Sequence, residues 1–307
     1  MTRLYNHPIF AEHLTGPGHP ERPERMAAVA AALEAEPFQD LDRALAPEGQ
    51  LEAIYRCHSV GHVAKIARAT PTEGLVRIDG DTVISPKSFT AALHGVGAAC
   101  AGVDDVVSGE AANVFVAARP PGHHAERETA MGFCLFNQAA VAARHAQAVH
   151  GLERVAIVDW DVHHGNGTQD IFWSDPSVLY VSTHQWPLYP GTGAPEETGA
   201  GNIVNVPLRE GDGTDEFREA FSAKVMPALH AFAPDLVIIS AGFDAHHRDP
   251  LAGLNLIEAD FDWATGQLLE VAGRFAGNRL VSILEGGYDL KGLQQSVAAH
   301  VQRLMIG

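Results

Sequence analysis

Positive charge is scarce in this chain: 21 Lys and Arg stand against 38 Asp and Glu, for a formal net charge of −17. No basic tract offsets that balance, which argues against a nucleic-acid partner, because binding phosphates requires clustered Lys and Arg. An acidic surface draws cationic substrates or basic tails, and it also serves plain solubility. Cysteine is scarce too. Cys57, Cys100 and Cys134 are odd in number and widely spaced, which rules out a disulfide framework and a Cys-x-x-Cys zinc motif. No apolar run is long enough for a membrane span. The opening residues Met1 to His7 lack the apolar core of a signal peptide. A cytoplasmic protein is expected. No linker, low-complexity stretch or internal repeat divides residues 1–307, so a single domain is expected.

What the chain does have is a hydrophobic fraction of 46%, ample for a core, and 17 histidines, several of them in adjacent pairs. Short apolar runs recur at 113–118, 155–158, 178–182, 236–240 and 280–284. They are continuous rather than alternating, as in strands covered on both faces. The first 26 residues read as a short strand followed by a Gly/Pro/His-rich loop. Helices are expected from Pro23 or Glu24 to about Ala35, near 60–68 with Ser59 as N-cap, and over 88–108. Others are expected near 136–149, 214–232 and 258–275. Strands alternating with helices specify an α/β fold with a mainly parallel sheet.

The residues after each apolar run carry the chemistry. The first run leads into Arg119-Pro120-Pro121-Gly122-His123-His124, and the second into Asp159-Trp160-Asp161-Val162-His163-His164. Thr183-His184 follows the third, Ala241-Gly242-Phe243-Asp244-Ala245-His246-His247 the fourth, and Glu285-Gly286-Gly287-Tyr288 the fifth. Ligands of open parallel sheets bind outside the carboxyl ends of the strands. Asp159, Asp161 and His163 alternate, so in extended chain they face one side. That is either an N/O metal site or an acid–base cluster.

Asp161, His163 and Asp244 make a set suited to Zn2+ or Fe2+, with a position left for water. A polar structural cluster is the bland alternative. Asp159 and Asp249 are close enough in sequence to keep a dinuclear site open. His123 and His124 could divide the work of base and acid, with Asp159 and Asn166 behind them as partners that set tautomer and basicity. Tyr288 could donate to a developing oxyanion, or it could be a core tyrosine at a turn. Gly286 and Gly287 would allow a ligand to approach closely. Gly191-Thr192-Gly193 and Gly199-Ala200-Gly201 lack the Lys-Ser/Thr of a phosphate loop and read as plain loop. His58 and His62 lack a third ligand and read as structural, and Trp160 reads as core packing.

Taken together, these segments, extended by Gly165-Asn166-Gly167-Thr168-Gln169 and the Gly18-His19-Pro20-Glu21 loop, resemble the zinc-dependent histone deacetylase family. The resemblance implies a single-domain arginase–deacetylase fold and hydrolysis of an acetylated amine to acetate and free amine. It implies zinc on Asp161, His163 and Asp244, a catalytic pair at His123 and His124, and a Tyr288 that polarises the acetyl carbonyl. Gly132, Phe133, Tyr189, Leu251 and Gly287 would line the substrate site, and Arg25 an inner cavity. Structural potassium is implied at an inner position (Asp159, Asp161, His163, Ser182, Thr183) and an outer one (Phe172, Asp175, Val178, Asn202). Trp160 and Asn166 resemble class II and bacterial deacetylase-like amidohydrolases, since class I members have Asp where Asn166 stands. Tyr288 is retained where class IIa enzymes have His. Leu251 stands where polyamine-selective relatives have Glu, which weakens an acetylpolyamine reading. Acetyl-lysine, a longer acyl-lysine and small acetylated amines stay open as substrates, and so does an oligomer. A binuclear manganese arginase-like hydrolase and a non-catalytic acyl-lysine-binding protein are the competing classes.

Overall fold

A computed structural model describes residues 1–307. The chain opens with β1 (Thr2–Asn6), α1 (Glu24–Leu33), β2 (Asp42–Leu45), α2 (Leu51–Ile54), α3 (Val60–Ala69), the short pair β3 (Val76–Arg77) and β4 (Val83–Ile84), and α4 (Ser88–Ser108). The middle holds β5 (Asn113–Val116), α5 (Gln138–His150), β6 (Val155–Asp159), α6 (Asn166–Phe172), β7 (Val178–Gln185) and β8 (Ile203–Leu208). It closes with α7 (Thr214–Ala220), α8 (Met226–Phe232), β9 (Leu236–Ala241), α9 (Glu258–Phe275), β10 (Leu280–Leu284) and α10 (Leu290–Ile306).

Eight strands form one sheet in the order β2-β1-β5-β10-β9-β6-β7-β8, and every neighbouring pair is parallel. β5, β10, β9, β6 and β7 are buried at every residue. These are the five apolar runs visible in the sequence. Covered on both faces by helices, they need no polar side. The expected α/β architecture is therefore the one present, with the carboxyl ends of all eight strands on one edge.

Strands β2, β3, β4 and β8 and helices α2, α6 and α10 were not expected. β8, an edge strand, is buried except at Val204 and Pro207, which are half-exposed, and carries the polar Asn205. β2, at the other edge, is half-exposed or exposed throughout. Edge strands lack the continuous apolar run that betrays a central one. α10 had a readable signal: Leu293, Val297, His300 and Leu304 recur at helical spacing and are buried, and Asp289 caps it by accepting from Gly292 N at 2.7 Å. The helix expected over 214–232 is interrupted by a π turn at Phe221–Val225. Pro227 has no N–H to offer the preceding turn, so the bonding there widens. Ser59 caps α3 as expected, accepting from His62 N at 3.1 Å.

Candidate active site

β6 and β9 are neighbours, with Asp159 paired to Ser240. The chain segments leaving both strands therefore run side by side, and this brings Asp161 and His163 next to Asp244. Their ligand atoms lie within 4.8 Å of one another, and all three residues are buried. His163 Nδ1 is 3.2 Å from Asp161 Oδ1 and 3.1 Å from Asp244 Oδ2. Backbone donors hold the carboxylates: Val162 N on Asp244 Oδ1 at 2.8 Å, His163 N on Asp161 Oδ1 at 3.0 Å and Gly286 N on Asp161 Oδ2 at 2.8 Å. Position 286 must be glycine, because a Cβ there would stand 2.2 Å from Asp244 Oδ2.

Charge is out of balance in this cluster. Burial and the neighbouring Asp161 push the Asp244 carboxyl up to about 7. Burial works against ionising Asp161 as well, but His123 and His163 hold it well below the usual carboxylate range. The two carboxylates raise His163 to about 10 against the effect of burial. Two buried carboxylates facing one imidazole nitrogen thus share a single proton where a divalent cation would neutralise both. The donor set fits Zn2+ or Fe2+ by geometry and by charge. Asp159 and Asp249 are engaged elsewhere. Asp159 Oδ2 accepts from His123 Nδ1 at 3.0 Å and Tyr180 Oη at 2.9 Å. Asp249 accepts from the backbone of Leu251, Tyr288 and Asp289.

The two adjacent histidines are treated differently by their surroundings. Glu285, at the end of β10, accepts from Gly122 N and His123 N at 2.7 and 3.1 Å and so anchors their loop; burial pushes its carboxyl up to about 7. Burial disfavours charge on His123, but Asp161 and Asp159 outweigh it and raise the ring well above its ordinary value. His124 goes the other way. Burial and the nearby rings of His123 and His163 lower it well below its ordinary value. Its Nδ1 lies 2.8 Å from Asn166 Oδ1. The Asn166 amide nitrogen donates to Glu126 Oε1 at 2.8 Å, which fixes the amide oxygen toward His124. His124 therefore carries its proton on Nδ1 and presents a lone pair at Nε2.

A cavity of about 240 Å3 is lined by Asp81, His124, Gly132, Phe133, His163, Tyr189, Leu251 and Tyr288. Gly132 and Phe133 both take positive φ, 57° and 69°. Such a backbone is uncommon for Phe. It lays the Phe133 ring edge-on to Tyr288 at 5.8 Å. A Cβ at Gly132 would stand 2.4 Å from His124 Cδ2. Tyr189 meets His124 edge-on at 5.2 Å. Burial, Asp244 and Asp161 keep the Tyr288 hydroxyl protonated far above neutral pH. Arg25 fixes its loop, donating from Nε to Gly287 O at 2.7 Å and from Nη2 to Glu285 O at 2.5 Å. Gly287 is not part of this wall; a Cβ there would stand 3.0 Å from Leu293 Cδ1 and 3.3 Å from Phe243 Cβ. His123 lies behind it, 2% exposed.

Sequence reasoning missed Asp81, Glu126, Tyr180 and Glu285 as members of this site. Only Glu285 had a signal, its place in the strand-end motif. Asp81 arrives from the β3–β4 turn and Glu126 from a loop, which no local pattern marks. His58 and His62 are structural, with His58 Nδ1 on Glu126 O and His62 Nε2 on Leu135 O, both at 2.9 Å. Trp160 is 1% exposed and packs against Phe261 and His300. Of the residues implied for potassium, Asp159 faces Ser182 across the β6–β7 ladder, beside Thr183, Asp161 and His163. At the outer position the carbonyls of Phe172, Asp175 and Val178 converge on Asn202 Nδ2, which donates to them at 2.9, 2.9 and 2.8 Å.

Comparison with known proteins gives the same picture. Residues 19–304 match the histone deacetylase domain model. The chain is 40% identical to a histone deacetylase-like amidohydrolase of Pseudomonas aeruginosa over 89% of this chain and 73% of that protein. It is 40% identical to the chloroplastic histone deacetylase 10 of Oryza sativa over 91% of this chain and 68% of that one. Its structure superposes on the HD domain of HDA15 with a TM-score of 0.93 at 38% identity, covering 99% of this chain and 90% of that one.

Proposed function

The chain belongs to the histone deacetylase family and is a deacetylase, and from that premise we propose that it hydrolyses the acetyl amide of acetyl-lysine, or of a related acetylated amine, with a zinc ion held by Asp161, His163 and Asp244. When bound, the ion supplies Lewis acidity to the carbonyl and acidifies water. Everything else falls to side chains. The attacking water gives its proton to His124 Nε2, the lone pair that Asn166 leaves exposed. His123, charged beside Asp159, stays protonated and steadies the negative charge that develops next to it. The Tyr288 hydroxyl donates to the carbonyl oxygen as it becomes an oxyanion. His124 then returns its proton to the leaving amine.

One observation carries the reading: His124, His163 and Tyr288 all open on the same 240 Å3 cavity. Tyr189, Phe133 and Leu251 serve as walls for an alkyl chain, and Gly287 sets the backbone that aims Tyr288. The carboxylate of Asp81 at the mouth favours an amine that carries positive charge nearby. At the inner position Asp159, Asp161, His163, Ser182 and Thr183 would hold K+, which would supply a positive charge between the ends of β6 and β7. At the outer position the backbone carbonyls of Phe172, Asp175 and Val178, with Asn202, would be the residues to hold K+. No helix is long and apolar enough to cross a membrane, and a cytoplasmic location is proposed.

The test is kcat/KM for the zinc-loaded protein on acetyl-lysine peptides, longer acyl-lysine peptides and acetylpolyamines. Hydrolysis of acetyl-lysine ahead of the others is expected. Preference for acetylpolyamine would move the assignment to a small-molecule amidohydrolase, and tight binding without turnover of any substrate would overturn it.

A further inference from the structure

A second group of metal-type donors lies outside this pocket, where α4 packs against α5. Asp104 of α4 meets two histidines of α5 through one oxygen: His145 Nε2 at 2.7 Å and His150 Nε2 at 2.6 Å. The three ligand atoms lie within 4.8 Å of one another. We propose that Asp104, His145 and His150 form a surface site for a borderline divalent cation such as Zn2+ or Ni2+, bridging the two helices.

Donor chemistry comes first. Two imidazoles and a carboxylate form a set for Zn2+ or Ni2+ rather than for Mg2+ or Ca2+, which prefer all-oxygen ligands. Placement comes second. All three side chains project from helices, and α5 ends firmly at Gly151, whose N–H bonds Gln147 O at 3.1 Å. Donors on rigid elements are held better than donors on loops. The side chains of His145 and His150 are 13% and 21% exposed, so their rings are partly packed, while Asp104 at 51% leaves the ion a path in from solvent. Bonds of about 2.0–2.1 Å in a tetrahedral site put neighbouring ligand atoms about 3.3 Å apart. The present contacts would open by roughly 0.6 Å, a small rotation for side chains at a surface.

Arg56 sets the terms of entry. Its Nη1 lies 3.4 Å from His145 Nδ1. Arginine can only donate, so His145 accepts at Nδ1 and carries its proton on Nε2, toward Asp104. An ion at Nε2 needs that lone pair, so the ring proton moves to Nδ1 and the long Arg56 contact must break. Arg56 therefore opposes the ion. A glutamine in its place would accept the Nδ1 proton and favour it, an effect that casual adsorption of metal to surface histidines would not show.

The experiment counts zinc per chain in the full-length protein by elemental mass spectrometry after dialysis against Zn2+. Two equivalents are expected in the wild type, one in His145→Ala/His150→Ala with deacetylase turnover unchanged, and one in Asp161→Ala. A wild type with one equivalent, or a double variant that keeps two, overturns the proposal. If Asp161→Ala keeps both while the double variant loses one, the catalytic reading fails and this one stands. Calorimetric titration with Zn2+ adds a finer measure. His150→Gln should weaken the site by more than about tenfold, the least effect seen when even an outer partner of a metal ligand is lost, and Arg56→Gln should tighten it. Unchanged affinity in either variant would count against the site.

Discussion

The chain contains two donor groups of nearly the same chemistry in opposite settings. Asp161, His163 and Asp244 are buried at the ends of central strands, whereas Asp104, His145 and His150 meet at a helix surface. In the buried group, backbone N–H groups fix each carboxylate and low exposure magnifies every charge, so neighbouring groups shift one another strongly. At the surface, water screens the same kinds of group. Burial makes the first group able to do chemistry. The second is equipped only to bind.

The sharpest way to break this comparison is to remove one carboxylate from each group. Asp161→Ala should abolish deacetylase activity, while Asp104→Ala should leave kcat/KM unchanged. Equal losses would show that burial is not what separates the groups. Tyr288→Phe comes next, with an expected fall in kcat of about 10²–10³-fold, as when one oxyanion donor is lost. Near-native turnover would remove the hydroxyl from the reaction. Asn166→Ala tests how much the fixed tautomer of His124 contributes. A drop of about 10–100-fold is expected, on the scale of losing an outer partner at a metal centre, with kcat affected more than KM.

The smallest effect concerns acid stability. Burial lowers His58 to about 4 and His300 to about 3. Both are neutral when folded: His58 Nε2 accepts from Asn137 N at 2.9 Å, and His300 lies between Thr265 and Ser282 at 2.6 and 2.8 Å. Their folded values lie below the unfolded value of about 6.5, so the unfolded chain takes up protons first. The stability they contribute is complete above that value. It is lost as pH falls toward 4 and then 3, at about 1.4 kcal/mol per pH unit for each ring. Urea midpoints between pH 7 and 5 measure the slope, and His300→Gln should reduce it by one ring's share, at most about 1.4 kcal/mol per pH unit.

Much of this was legible in the sequence for a physical reason. The central strands β5, β6, β7, β9 and β10 are buried on both faces, so their sequence is apolar throughout. Parallel strands all end at one edge, so the polar motifs after them had to meet. Asp161, His163, Asp244, the histidine pair and Tyr288 could be picked out on that basis. The edge strands β2 and β8 could not, because Asp42 and Arg43 in β2 and Asn205 and Pro207 in β8 break the continuous apolar run. Asp81 and Glu126 sit on turns whose local sequence points to nothing in particular.

What the sequence determined by itself was the class of fold and the identity of the reactive groups, since both follow from local composition and from the order of strands. Which group carries the proton was decided only by the tertiary structure. His123 and His124 are identical neighbours in the chain, yet one lies against Asp159 and Asp161 while the other lies against an amide locked by Glu126. Asn202 is a similar case, a side chain whose amide turns toward three carbonyls from a different part of the chain. So is the meeting of Asp104 with two histidines about forty residues away along the chain. Each depends on charge, burial and distance in space, which fall off over a few ångströms regardless of how far apart the residues are along the chain.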